Sequence, residues 1–204
     1  MKKCFIVMVL LIGVLSCRTN RVDSYEMKVF NEIFDNNNPM AYDTVRYEQK
    51  ITEIERENMK MKDTTFVIAV FDTLFTCDNL NLDVEYIGKQ LVEPDYIEAL
   101  NSMNNRLIQS YPLNLSEIEN RKRFILKHFS EFPEGFKIWE RENYNFLFSG
   151  ILRMSRIYFN KEKLVGVFYC SYACGRLCGE EAIICIRKIN DKWIIEKNIL
   201  LGVS

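Results

Sequence analysis

The run Cys170-Ser-Tyr-Ala-Cys174-Gly-Arg-Leu-Cys178-Gly179 is the compact stretch of this chain whose residue types and spacing suit chemistry. Its C-x3-C-x3-C spacing argues against zinc. Paired zinc ligands are usually spaced C-x2-C or C-x4-C, and the fourth ligand would have to come from the single histidine, His128, far away in sequence. A redox pair wants C-x2-C at a helix N-terminus, where the dipole lowers a thiol pKa, and a hairpin tip has no such dipole. The remaining reading is structural: Cys174 and Cys178 are placed to close a hairpin tip as a disulfide, with Gly175 and Gly179 permitting the positive φ such a tip requires. Folding this hairpin about residues 177 and 178 also brings Cys170 near Cys185. Packed thiols are the expected outcome there, ahead of a cross-strand bridge.

The other reactive side chains resolve the same way. Asp72 follows the apolar run Val67-Ile-Ala-Val-Phe71, the position of a nucleophile in some phosphohydrolases, but those enzymes carry a second Asp two residues on, where this chain has Leu74. Asp72 is read instead as an Asx-turn acceptor. Glu180 and Glu181 are adjacent in a strand, and Arg153 and Arg156 are three apart, so both pairs point to opposite faces and neither shares a site. His128 stands on an expected helix with no nucleophile or acid that sequence places beside it. The aromatic stretch Phe136, Trp139, Tyr144, Phe146 and Phe148 is expected to pack against the sheet, ahead of lining a sugar site. No catalytic residue, metal or cofactor is therefore assigned.

Chemistry done to the chain is plainer. Lys2 and Lys3 precede an apolar run from Cys4 to Val14 that is too short to span a bilayer, and Val14-Leu-Ser-Cys17 has the order of a lipobox. Residues 1–16 then read as a lipoprotein signal peptide, 17–23 as a tether, and 24–204 as a single domain. Cys17 is the expected lipidation site, and two or more acyl chains give stable anchoring. Arg18, not Asp, follows it, which in enterobacterial sorting permits transport to the outer membrane.

The elements that must position these residues fall into two halves. Ser24 caps a first helix carrying Val29, Phe30 and Ile33, ended by Asn36 to Pro39. Residues 42–62 read as a loop with helical turns. Thr65 to Phe71 is a buried strand, Pro94 opens a helix running to about Gln109, and Ser116 with Glu119 offers a capping box for a third helix through Ile125 and Phe129. After Gly150 four β-prone runs follow as an antiparallel meander: 151–159, 164–173, 182–189 and 193–200. The second is apolar at odd and even positions alike, so it is expected to be covered on both faces.

With 204 residues, 48% hydrophobic and 27% charged side chains, and a net charge of −1, the chain is globular and has no basic footprint for nucleic acid. Five cysteines remain past Cys17, namely Cys77, Cys170, Cys174, Cys178 and Cys185. An odd number leaves at least one thiol free or paired between molecules, and Cys77 is the expected orphan.

The C-terminal quarter carries Ser155-Arg156-Ile-Tyr-Phe159-Asn160, then Cys174-Gly175-Arg-Leu-Cys178-Gly179, then Lys192-Trp193 and a closing Gly202-Val203-Ser204. It resembles an uncharacterised family of Gram-negative bacterial lipoproteins with an S-R-x-x-F-N strand, a G-x-L-x-G hairpin tip and a K-W hairpin. Where that pattern usually has Trp before the final Val-Ser, this chain has Gly202. The resemblance implies export and the terminal meander, and brings no catalytic residues.

The expected fold class is α+β, with N-terminal helices and one early strand packed on a C-terminal four-strand antiparallel sheet. The cone-shaped fold of nuclear transport factor 2 is one similar architecture. The expected function is a lipid-anchored cell-envelope module, non-catalytic, held to the membrane through lipid on Cys17 and binding a protein or glycan partner. The alternative is a small-ligand-binding or hydrolytic domain with a cavity between helices and sheet. That reading gains if His128 or Asp72 points into such a cavity beside another carboxylate.

Overall fold

The computed structural model describes residues 23–35, 66–103, 108–118 and 124–203. The signal segment, Cys17, most of the tether and the 42–62 loop lie outside the described residues.

The fold is mixed α+β: the described residues form three helices and a seven-stranded sheet, with a separate two-stranded ribbon. In chain order the elements are α1 (Asp23–Asp35), β1 (Phe66–Val70), β2 (Thr73–Leu74), α2 (Val84–Gln90), α3 (Pro94–Ser102), β3 (Tyr111–Pro112), β4 (Phe124–His128), β5 (Leu147–Met154), β6 (Tyr158–Phe159), β7 (Val165–Gly175), β8 (Cys178–Ile189) and β9 (Lys192–Val203). The sheet runs β4-β1-β5-β7-β8-β9, with β6 also pairing β7. β1 is parallel to both β4 and β5, while β5, β7, β8 and β9 alternate antiparallel.

The early strand thus lies inside the sheet, not on it. All five β1 residues are buried, as a strand flanked on both sides by parallel neighbours requires. The expected third helix is corrected in its C-terminal part. Asn114 caps a short 3-10 turn at Leu115–Glu117 by accepting from the Ser116 N–H, and Phe124–His128 is β4, paired residue by residue with β1. A helical spacing of apolar residues lost to the pairing site that β1 offers. His128 accordingly ends a strand. The helix opened by Pro94 closes at Met103, whose N–H reaches the Leu100 carbonyl, short of the expected Gln109.

Burial divides by sheet face. On one face α1 packs Met27, Val29, Phe30 and Ile33 against Val70, Leu152, Phe168, Ile184 and Trp193. On the other, Ile87 of α2 and Tyr96, Ala99 and Leu100 of α3 cover Val165, Val167, Tyr169, Ile183 and Cys185. Toward the β4 side of that second face, the 3-10 turns of residues 129–143 carry Phe129, Phe132, Ile138, Trp139 and Tyr144 onto Ala69 and Phe148. The expected C-terminal antiparallel meander is present as β5-β7-β8-β9, but two parallel pairs extend it into a larger sheet and helices cover both faces, which departs from the cone-shaped expectation.

The signature Ser155-Arg156-x-x-Phe159-Asn160 is a structural corner. Buried Ser155 accepts the Tyr169 N–H at 2.9 Å and donates to the Arg156 carbonyl, ending β5. Arg156 binds Glu26 of α1 through two nitrogens at 2.8 and 2.9 Å. Phe159 packs on Trp193, with centroids 5.5 Å apart, and the Asn160 side chain accepts from the Leu164 and Val165 N–H groups to set the next turn. Asn190 and Asp191, both at positive φ, make the tight β8–β9 turn.

Gly150 is the position where a side chain fits worst. A Cβ there would collide with the Ala173 carbonyl oxygen and the Tyr172 hydroxyl. Gly150→Ala is expected to lose about 1–3 kcal/mol of stability as the β5–β7 contact is pushed apart. Urea unfolding checks this, and an unchanged midpoint would contradict the tight approach.

Cys77, Cys170 and Cys185 are free and buried. The hairpin register sets Cys170 opposite Ala182 and Cys185 opposite Val167, so the two thiols pack on opposite faces. Burial raises all three pKa values, that of Cys185 to about 12. All three are expected to resist iodoacetamide at pH 8 in the native protein and to react once it is denatured, as peptide mapping reads directly.

Candidate functional site: a charged cleft between two covers

Between the α2–α3 cover and the aromatic cover, the second face of the sheet stays open. The result is a cleft of about 470 Å³ lined by Phe71, Ile151, Arg153, Ser171, Tyr172, Ala173, Gly179, Glu180, Glu181, Gly202 and Val203. Strand register explains its composition. Arg153 of β5 stands opposite Ser171 of β7, Ser171 opposite Glu181 of β8, and Glu181 opposite Gly202 of β9, so one transverse row supplies the floor. The next row, Ile151, Ala173 and Gly179, is small and apolar. At Gly202 nothing lies within 4 Å of where a Cβ would be, so the floor is open there.

The Arg153 guanidinium lies over two rings, 4.1 Å from the Phe75 centroid and 5.7 Å from that of Phe71. These rings are themselves fixed, Phe71 by stacking on Phe129 at 4.6 Å and Phe75 edge-on against Tyr169 at 5.7 Å. Cation–π contact holds the flat face of a guanidinium and leaves its edge N–H groups free to donate. Among the described residues Arg153 forms no ion pair, whereas Arg156 is spent on Glu26. The alternation read from sequence therefore separates a structural arginine from an available one. The buried Tyr169 hydroxyl borders the same row; burial first, then the Glu181 carboxylate, pushes its pKa up to about 12. It stays a neutral donor and acceptor at physiological pH.

Cys174 and Cys178 are joined by a disulfide across the tip of the β7–β8 hairpin, with Cα atoms 5.2 Å apart. The tip forms one end of the cleft, since Ala173 and Gly179 flank it. An Arg141 nitrogen donates to the Cys174 carbonyl at 2.7 Å, and Arg176 sits over Phe136, tying the tip to the aromatic cover. Loop-closure entropy for so short a ring is worth about 2 kcal/mol. The double variant Cys174→Ser, Cys178→Ser is expected to lose that much in a denaturant titration run without reductant, and a loss below a few tenths would refute it.

Asp72 and His128 meet, but away from the lining. They end the adjacent parallel strands β1 and β4, and the imidazole Nδ1 lies 3.2 Å from Asp72 Oδ1 without the alignment of a hydrogen bond. The carboxylate is occupied by Ser130, which donates its hydroxyl at 2.6 Å and its N–H at 3.1 Å. Asp72 thus holds the turn after β4, across the sheet end, where the sequence suggested a local Asx-turn. The Ser130 proton goes to the carboxylate and not to the imidazole, so the three do not form a nucleophilic relay. Glu180 and Glu181 both border the cleft despite their opposite facing, at the end of the sheet where the β8–β9 register shifts. Among the described residues no group of three or more His, Cys, Asp or Glu side chains is placed to hold a metal ion, and no helix is long and apolar enough to cross a membrane.

Sequence reasoning weighed Arg153 and Glu181 only against Arg156 and Glu180 and set them aside, and it did not consider Ser171 or Phe75. Each is ordinary in its own segment, and only the register of four strands gathers them. Comparison with models of known protein families, with curated proteins and with solved structures finds no match.

Proposed function

We propose that this protein is a lipid-anchored cell-envelope binding module, non-catalytic, whose ligand lies in the cleft with an anionic group on Arg153. The observation that carries the reading is a guanidinium lying over the Phe75 and Phe71 rings, in a cleft of ligand size, with no acid paired to it among the described residues. An arginine so placed donates to a carboxylate in bidentate fashion, while Phe71, Ile151 and Ala173 take the apolar body attached to it. Asp72 and His128, the residues that would favour hydrolysis, are not among the lining residues.

The lipobox supports the anchoring half of the proposal. Labelled palmitate should enter the wild-type protein and not Cys17→Ser, and the variant should leave the membrane fraction. The binding half is tested with phenylacetate as probe. Calorimetry should detect binding to the wild type and at least a tenfold loss in Arg153→Gln. Gly202→Trp, which introduces a side chain where the floor is open, should block the cleft without unfolding the sheet. Equal binding by wild type and both variants would overturn the proposal.

A further inference from the structure

Arg153 and Glu181 share one row of one face in one cleft, two strands apart, yet do not neutralise each other. Ser171 stands between them in the register. Strand spacing of about 4.8 Å sets their Cα atoms roughly 10 Å apart, so an ion pair would need both long side chains to lie down along the floor. Arg153 instead stands against Phe75 and Phe71. Glu181 is an exposed carboxylate beside the Tyr169 hydroxyl. A cation held over two rings and an anionic end formed by Glu181, with Glu180 beside it, are separated by Ser171 and form a complementary dipole for a ligand of opposite polarity.

We propose that the cleft binds the two charged termini of a short peptide, two or three residues long, with the C-terminal carboxylate on Arg153 and the N-terminal ammonium on Glu181. Length follows from reach: an extended chain spans at most about 3.5 Å per residue, so two to three residues cover the roughly 10 Å set by two strand spacings and a single amino acid does not. Polarity follows from which end carries which charge. Phe71 and Ile151 border the Arg153 end, so the C-terminal residue is expected to be apolar, and Ser171 lines the middle, where peptide groups need partners. Open space at Gly202 leaves room beside Glu181 for the ammonium group.

This inference rests on the cleft being a binding site, and its test separates the two. The probes are Gly-Gly-Phe, its N-acetyl form and its C-terminal amide, titrated calorimetrically into wild type, Arg153→Gln and Glu181→Gln, with unchanged circular dichroism as the check of folding. The free tripeptide is expected to bind. Amidation and acetylation should each weaken wild-type binding about tenfold, since each removes one charge-assisted contact. In Glu181→Gln the penalty for acetylation should vanish while that for amidation persists, and Arg153→Gln should show the converse. If acetylated and free peptides bind the wild type equally, and both better than the amide, the two-ended reading fails while the Arg153 site stands. If none of the three probes binds, both fail.

Discussion

Arg156→Ala is expected to lose about 3–5 kcal/mol of unfolding free energy, the largest effect of any single charged side chain among the described residues. Arg156 and Glu26 are each only 8% exposed at the side chain, so neither charge can fall back on water when its partner is removed. Three guanidinium hydrogen bonds hold it: two go to the Glu26 carboxylate and another to the Gln109 carbonyl. Truncation leaves an unpaired carboxylate at the α1–sheet junction and an orphaned carbonyl beside it. Glu26→Ala should cost a similar amount, and its cost should not add to that of Arg156→Ala, because the two remove one interaction. Replacing both by apolar residues, Arg156→Met with Glu26→Leu, should recover most of the loss. Guanidinium titration of the wild type, the two single Ala variants, their double Ala variant and the Met/Leu pair checks the cycle. Additive losses would show that the two residues act separately.

Trp193→Ala should cost about 3–5 kcal/mol and lower the melting temperature by roughly 10 °C or more. Trp193 is 2% exposed and belongs to the core formed by α1 and the first face of the sheet. Its ring packs on Phe159, and its backbone N–H donates to the Glu32 carboxylate of α1 at 2.8 Å, so it joins the last hairpin to the first helix. Removing the ring opens a cavity that rigid strands on one side cannot close. Trp193→Phe should retain more than half of the lost stability. Since Trp193 lies on the face away from the cleft, that variant should bind ligand as the wild type does. A binding defect in folded Trp193→Phe would mean that the two faces are coupled.

What could be read from sequence tracks how local the determinant is. The run Phe66–Val70 announced a buried strand because all its residues are apolar, and β7 announced cover on both faces for the same reason. The spacing of Cys174 and Cys178 pointed to a closed hairpin tip from ten residues alone, although the tip forms without the positive φ expected at Gly175 and Gly179. The parallel set β4-β1-β5 was hidden, because β4 pairs with a strand 58 residues earlier, and Ile125 and Phe129 fit a helical period equally well. α2 was missed for want of length, although Asp83 capping Tyr86 and the Glu85–Lys89 pair are the expected local signals. The aromatic segment was readable as a packing surface but not as 3-10 turns, since its order comes from Phe132, Tyr144 and Phe148 meeting one another.

The cleft shows the same limit more sharply. Alternation correctly set Arg153 and Arg156 on different faces, but nothing near either one says that Arg156 meets Glu26 while Arg153 faces two phenylalanines. The partner of Arg156 lies 130 residues away, and the row from Arg153 to Gly202 draws on four strands. The S-R-x-x-F-N signature turns out to serve the fold through Ser155, Arg156, Phe159 and Asn160. The residues proposed to meet ligand lie outside it, except where the hairpin tip borders the cleft.

The most direct measurement is a heteronuclear NMR titration of the folded protein with Gly-Gly-Phe, following the Arg153 side-chain Nε–H and the backbone amides. The Arg153 Nε–H resonance is expected to move and sharpen as its donors engage the carboxylate, together with the amides of Ser171, Ala173, Gly179, Glu181 and Gly202. Resonances of α1 and of Trp193 should stay in place. Saturable shifts confined to α1, the 3-10 turns or the β8–β9 turn, with Arg153 unmoved, would contradict it.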